Sequence, residues 1–199
     1  MKVTAGTDRR EAIGDAGIAI VAREGLRSLT HRAIDRELGL PPGSTSYYAR
    51  TRRQLIEAMV HRLASRTVSD MRPAATPQSG PATVEEAARG LAALIDQLAL
   101  RPDDHRTRYA LMVDLVNDPE LRAWITTASP IRAGTLAAAT DRLDRLGVPD
   151  PDRHAPGLVA LIDGLLLDRV AGSGLDPADR PDAATLIAAY LRGLSAAGP

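Results

Sequence analysis

Between Asp8 and Glu24 the apolar or small residues Ile13, Ala16, Gly17, Ile20 and Val21 recur at i, i+3, i+4, i+7 and i+8, the spacing of one helical face. Gly25 ends that pattern. Leu26 and Leu29 then supply apolar positions that tuck beneath the helix end, and Thr30 stands where an N-cap is needed for a short helix with Ile34 and Leu38 inward. At Gly39 the chain must reverse within about three residues, which calls for positive φ. Pro41 and Pro42 fix φ where the next short helix begins. After it, Thr51 can cap a longer helix carrying Leu55, Ile56, Met59, Val60 and Leu63 on one face, running to about Asp70. Residues 1–7 show no period and are expected to form a mobile arm.

The remainder also reads as helices. Pro73 to Pro81 is a Pro, Gly and Ser loop, and Thr83 caps a helix with Glu85 and Glu86 in its first turn and Leu91, Leu94, Ile95 and Leu98 on one face. Pro102 interrupts; Tyr109, Met112, Val113 and Val116 mark the next helix, and Asp118-Pro119-Glu120 starts another with cap, N1 proline and acidic first turn. Pro130 should kink or split that segment, and Gly147 to Pro151 is a clear stop. From Leu158 to Val170 the wheel is apolar on two sides: Leu158, Leu161, Ile162, Leu165 and Leu166 on one, Val159, Leu167 and Val170 on the other. A helix apolar on both sides is buried on both, and a partner subunit is the expected second wall. Leu186, Ile187, Tyr190, Leu191 and Leu194 give a last amphipathic helix to pair with it.

Composition agrees with an all-α class. The 199 residues are 44% apolar but include no Phe, one Trp and four Tyr, so Leu, Ala, Ile and Val must build the core. There is no Cys, which excludes a disulfide framework and a thiolate metal site. The longest apolar stretch, Leu158 to Leu167, is broken by Asp163 and too short to span a bilayer, and the N-terminus lacks a signal-type apolar run, so a cytoplasmic protein is expected. The net charge of zero hides an asymmetry. Residues 1–70 hold 12 basic against 8 acidic side chains, net +4, and the rest 13 against 17, net −4. Only Lys2 is a lysine, so the arginines reflect a compositional habit as well as any phosphate recognition.

The segment from Gly43 to Tyr48, Gly-Ser-Thr-Ser-Tyr-Tyr, has no aliphatic side chain. Such a helix does not form to bury area; hydroxyls and phenols suit phosphates and base edges. A solvated loop is the alternative reading, but the helices on either side favour a helix-turn-helix reader of duplex DNA. Leu-Thr-x-Arg-x-Ile to Gly-Leu at residues 29–40, then Pro-Gly-Ser-Thr-Ser-Tyr-Tyr and Thr-Arg-Arg-Gln-Leu, resembles the N-terminal domain of the tetracycline-repressor (TetR) family. The resemblance covers about residues 8–60 and is architectural thereafter. It implies a three-helix DNA-binding domain at 1–60 and a helical ligand-binding and dimerisation domain at 61–199, with the boundary inside the long helix. It also implies that Arg32, Pro42, Gly43, Ser44, Ser46, Tyr47 and Tyr48 face DNA and that Arg52 meets a phosphate; Arg50 and Arg53 stand beside the same backbone.

Two positions depart from the family pattern. Asp35 replaces a small Ala; it would be costly if buried unpaired, but it could accept from the N–H of Gly43 or Ser44. Ala49 replaces an aromatic, a loss of ~3 kcal/mol if nothing refills the space, which Tyr47 or Tyr48 could do.

No enzyme constellation stands at diagnostic spacing: His31, His61, His105 and His154 are scattered and Lys2 makes no phosphate loop. Asp103-Asp104-His105 could suggest a metal, but acids are expected at a helix start; no metal or cofactor is expected. The reading is a ligand-responsive regulator, a repressor by expectation, binding a palindromic operator as a homodimer and released by a small apolar molecule. A helical scaffold and a cofactor-free enzyme are the rival classes. Tyr109, Met112 and Trp124 are the expected ligand walls, with Asp163 as polar contact or as partner of Arg169 or Arg108. Leu158, Leu161, Leu165, Ile187, Tyr190, Leu191 and Leu194 are the expected dimer seam, forming a four-helix bundle with the partner's pair.

Overall fold

A computed structural model describes residues 5–74, 83–126 and 129–196, all helix and connecting turn. The loop expected at 73–81 lies outside them except for its first two residues, which continue a helix. The first four residues of the expected N-terminal arm also lie outside, and its last three open the first helix. Packing divides the chain into two units, residues 1–71 with 103–129, and residues 72–102 with 130–199.

The first unit contains α1 (Ala5–Glu24), α2 (His31–Glu37), α3 (Ser44–Tyr48) and α4, Arg52–Ala74, which runs past the unit's boundary. The predicted face of α1 is buried at Ile13, Ala16, Ile20 and Val21. Gly17 has a spatial reason to be glycine: a Cβ there would lie 2.6 Å from Cγ of Met59 on α4, and one at Gly14 would lie 2.8 Å from the Ala58 carbonyl oxygen. These two residues let α1 and α4 approach closely. Thr30 caps α2 through the Ala33 N–H at 3.1 Å. Thr51 accepts from the Gln54 N–H at 3.2 Å, while the Gln54 side-chain carbonyl accepts from the N–H groups of Arg50 and Thr51 at 2.6 and 3.3 Å, a reciprocal cap for the start of α4.

The same unit takes in a segment beyond the expected boundary after residue 60. After α5 (Val84–Ala99), which belongs to the second unit, α6 (Pro102–Asp114) and α7 (Pro119–Ile125) return to it, and Leu111, Leu115 and Leu121 join one buried cluster with Ile13, Ile34, Leu55 and Met59. Ile18, off the predicted face of α1, is buried as well, and its carbonyl accepts from the buried Thr107 hydroxyl at 3.0 Å. Arg66 of α4 ties the helices together, donating to Asp15 on α1 at 2.8 Å and to Asp104 on α6. Arg62 bonds both oxygens of Asp15, at 2.5 and 3.2 Å. The acidic start of α6 is thereby built into an ion-pair network. Asp118 caps α7 through the Leu121 N–H at 3.1 Å.

The second unit consists of α5, α8 (Pro130–Arg145), α9 (Pro151–Ala171) and α10 (Ala183–Ala196). Pro130 begins a new helix, so the segment is split as its proline requires. Thr83 caps α5 as expected, and the Glu86 side chain accepts back from the Thr83 N–H to make the cap reciprocal. Several residues of the expected dimer seam are covered by their own chain. Leu158, Ile187 and Leu191 are 0% exposed within one chain, and Leu165 is also buried, because α5, α8 and α10 all pack on α9. The second wall of α9 is thus largely supplied by its own chain. Leu161, Tyr190 and Leu194 are half-buried, and Leu167 and Leu186 are the large apolar side chains of α9 and α10 that remain exposed, at 42% and 43%. Arg169, expected as a partner of Asp163, pairs with Asp96 on α5, and Arg192 on α10 pairs with Glu85 at 2.7 Å. No helix among the described residues is long and apolar enough to cross a membrane.

Candidate nucleic-acid interface

Five residues of helix cannot hold themselves; the first turn costs more order than its single hydrogen bond returns. α3 is such a helix, and it buries Thr45 and half-buries Ser44 and Tyr48. Gly43 precedes it at φ 91° and Gly39 turns the chain at φ 63°, conformations that a side chain would strain. Gly43 carries no cap of its own, and the missing cap comes from α2. Asp35, 3% exposed, accepts from the Gly43 N–H at 2.7 Å, the Thr45 N–H at 2.8 Å and the Thr45 hydroxyl at 2.6 Å. The expected acceptor is therefore in place, with Thr45 rather than Ser44 as its second donor. Burial opposes the charge on Asp35, but the hydroxyl and two N–H groups of Thr45 and Gly43 outweigh it and hold the carboxyl below the ordinary carboxylate range. Its stabilising contribution is accordingly present above the unfolded-state pKa and lost only as pH falls through the depressed folded value.

At its other end α3 is held by His31. The ring Nε2 lies 2.7 Å from the Ala49 carbonyl oxygen, which can only accept, so Nε2 carries the proton. Ala49 is buried, and Tyr48 packs against the core beside it, so of the two tyrosines it is Tyr48 that fills space near the missing aromatic. Tyr47 is 81% exposed and meets the Tyr48 ring edge-on with centroids 5.1 Å apart.

Two clefts open at this surface. One, of about 270 Å³, is lined by Arg9, Leu40, Ser44, Tyr47 and Tyr48; the other, of about 570 Å³, by Thr30, His31, Arg32, Asp35, Pro42, Gly43 and Ser46. All the DNA-facing positions expected on α2 and α3 therefore line one cleft or the other. Ser46, Tyr47, Arg32 and Pro42 are exposed. The Gly43 N–H is taken by Asp35, and the Ser44 hydroxyl donates to the Pro41 carbonyl at 2.6 Å while keeping its acceptor capacity. Arg52 also serves the fold, since its guanidinium donates to the Leu26 carbonyl at 2.7 Å, which leaves other N–H donors of an otherwise exposed side chain. Arg53 is committed elsewhere, 2.8 Å from Glu120 and over the Trp124 ring at 5.1 Å. Arg9 and His31 were not among the expected contacts. Arg9 lies on the first turns of α1, and only the tertiary fold brings it to α3.

The other expected site residues are distributed over both units. Tyr109 and Met112 are half-buried on neighbouring turns of α6, with the Arg108 guanidinium 4.6 Å from the Tyr109 ring centre. Trp124 on α7 packs against the first unit's core. Asp163 is half-buried on α9 in the second unit.

Residues 82–195 match the family described as Tetracyclin repressor-like, C-terminal domain. Among solved structures, the chain is similar to a transcriptional regulator from Rhodococcus sp. RHA1 at 20% identity, covering 93% of this chain and 95% of that one with a TM-score of 0.73. GusR of Salmonella enterica is 20% identical over 98% of each chain, with a TM-score of 0.70. The multidrug binding protein EbrR, solved with proflavin, is 27% identical over 94% of this chain and 99% of that one, with a TM-score of 0.57. No curated protein matches the sequence.

Proposed function

We propose, on the premise that the chain belongs to the tetracycline-repressor family of transcriptional regulators, that it binds a palindromic duplex operator as a homodimer in the cytoplasm, represses there, and is released by a small apolar molecule. The observation that carries the reading is α3 itself: a helix with no aliphatic side chain, presenting Ser46 and Tyr47 outward, held by α2 and followed by the arginines that open α4. In this reading Ser44, Ser46 and Tyr47 meet base edges, Arg32 and Arg52 meet phosphates, and Pro42, Gly43 and Tyr48 shape the surface between them. A two-fold dimer requires half-sites in inverted repeat.

Selection of bound fragments from random duplex DNA should return a palindrome, bound with steep salt dependence. Tyr47→Ala removes an exposed ring and should leave thermal stability unchanged while weakening the selected duplex roughly tenfold or more. Equal, salt-insensitive retention of selected and random duplexes would overturn the function.

The effector part of the reading rests on α6 and α7, with Tyr109, Met112 and Trp124 as the walls. The similarity to EbrR, a multidrug binding protein solved with proflavin, supports it. Asp163 stays outside the proposed walls. Trp124 is the only tryptophan, so a small apolar molecule that changes its emission saturably should also weaken duplex binding. Saturable quenching with unchanged duplex affinity removes the allosteric part and leaves a ligand site.

A further inference from the structure

Asp35 and His31 stand four residues apart on α2, so their side chains share a face. They grip opposite ends of α3: Asp35 at Gly43 and Thr45, and His31 at the Ala49 carbonyl. We infer that these two residues form a polar clamp that sets how the reader helix is presented, which makes Asp35, His31 and Thr45 positioning residues for sequence discrimination and not DNA contacts. The inference rests on the DNA-binding reading above.

Three observations carry it. The helix is too short to be ordered by its own backbone bonds. Its fully buried side chain, Thr45, spends its hydroxyl on Asp35. And the α3 start is already occupied: short helix starts attract phosphate through their free N–H groups, but here the N–H groups of Gly43 and Thr45 are both taken by a carboxylate. Neither of those two N–H groups is left to hold a phosphate, so the clamp spends them on fixing how α3 presents Ser46 and Tyr47. A loosened clamp should cost discrimination while sparing the charge-driven part of affinity.

Thr45→Val and Thr45→Ser separate the hydrogen bond from the packing. Valine keeps the branched shape and loses the hydroxyl; serine keeps the hydroxyl and loses the methyl. The full-length native protein first selects a duplex from a random pool, and each variant is then titrated against that duplex and a scrambled one over a salt series. The expected result for Thr45→Val is a ratio of selected to scrambled affinity lower by about tenfold or more, an unchanged salt slope on the scrambled duplex, and recovery in Thr45→Ser to within about threefold of native. A ratio unchanged in Thr45→Val, or an equal loss on both duplexes, would overturn the clamp alone. Native protein that selects no duplex would overturn the DNA-binding reading and the clamp together. Asp35→Asn, which exchanges one acceptor for a donor facing N–H groups, repeats the test by a second route with the same expected and overturning results.

Discussion

Leu111→Ala in the full-length chain will lower the stability of the reader-bearing unit by about 2–5 kcal/mol, the range for emptying a fully buried leucine site, and hydrogen exchange at α2 will report it. Leu111 lies on α6, far along the chain from the reader, yet it is 0% exposed in the cluster that holds Ile34 and Met59. Deleting its side chain opens a void among α1, α4 and α6 rather than at a surface. The Thr107–Ile18 hydrogen bond and the Arg66 bridge between Asp15 and Asp104 tie the same helices at their polar edges. Arg66→Met should destabilise the unit comparably, by about 3–5 kcal/mol, because it takes a guanidinium away from the buried Asp104 carboxylate as well as from the partly solvated Asp15. Exchange at α2 that is indifferent to Leu111→Ala would mean that α6 is no part of the unit's cooperative core.

Leu167→Glu with Leu186→Glu will convert the proposed homodimer to monomer at micromolar concentration in sedimentation, without unfolding the second unit. Both side chains are exposed in the single chain, so charges there cost little unless a partner covers them, and then they are desolvated without a counter-ion. The contrasting substitution is Leu158→Ala. That residue is 0% exposed within its own chain, so it should cost about 2–5 kcal/mol of folding stability whatever the state of assembly. A double variant that stays dimeric would move the interface away from the outward faces of α9 and α10; a native protein that sediments as a monomer would remove the dimer.

Local chemistry was legible in the sequence because it depends on neighbours in the chain. The caps at Thr30, Thr51, Thr83 and Asp118, the glycine turn at 39, and the split at Pro130 all follow from residues within one turn. What covers an apolar face was not legible. Periodicity says that Leu158 is buried but not whether α5, α8, α10 or a second chain buries it. The return of α6 and α7 to the reader likewise leaves no periodic trace, since Thr107 and Ile18 meet across 89 residues of sequence. At the site, the sequence suggested Asp35 as a cap because a buried carboxylate needs donors, and the nearest unsatisfied ones begin α3. It held no sign that Arg52 would also serve the Leu26 carbonyl or that Arg53 would turn toward Trp124, because long cationic side chains choose among partners that only the fold supplies.

The cations around the reader, Arg9, Arg32, Arg50 and Arg52, are all guanidinium groups, and the chain's one lysine stands at position 2. A guanidinium keeps its charge through any pH a cell maintains, and lysine acetylation, a common way to discharge a DNA-binding surface, finds no acceptor on α2, α3 or the start of α4. In the proposed reading, the charge that these guanidinium groups offer to phosphate therefore varies neither with pH nor with lysine acetylation. On that reading, what is left to vary is geometry: where α3 is held and how firmly.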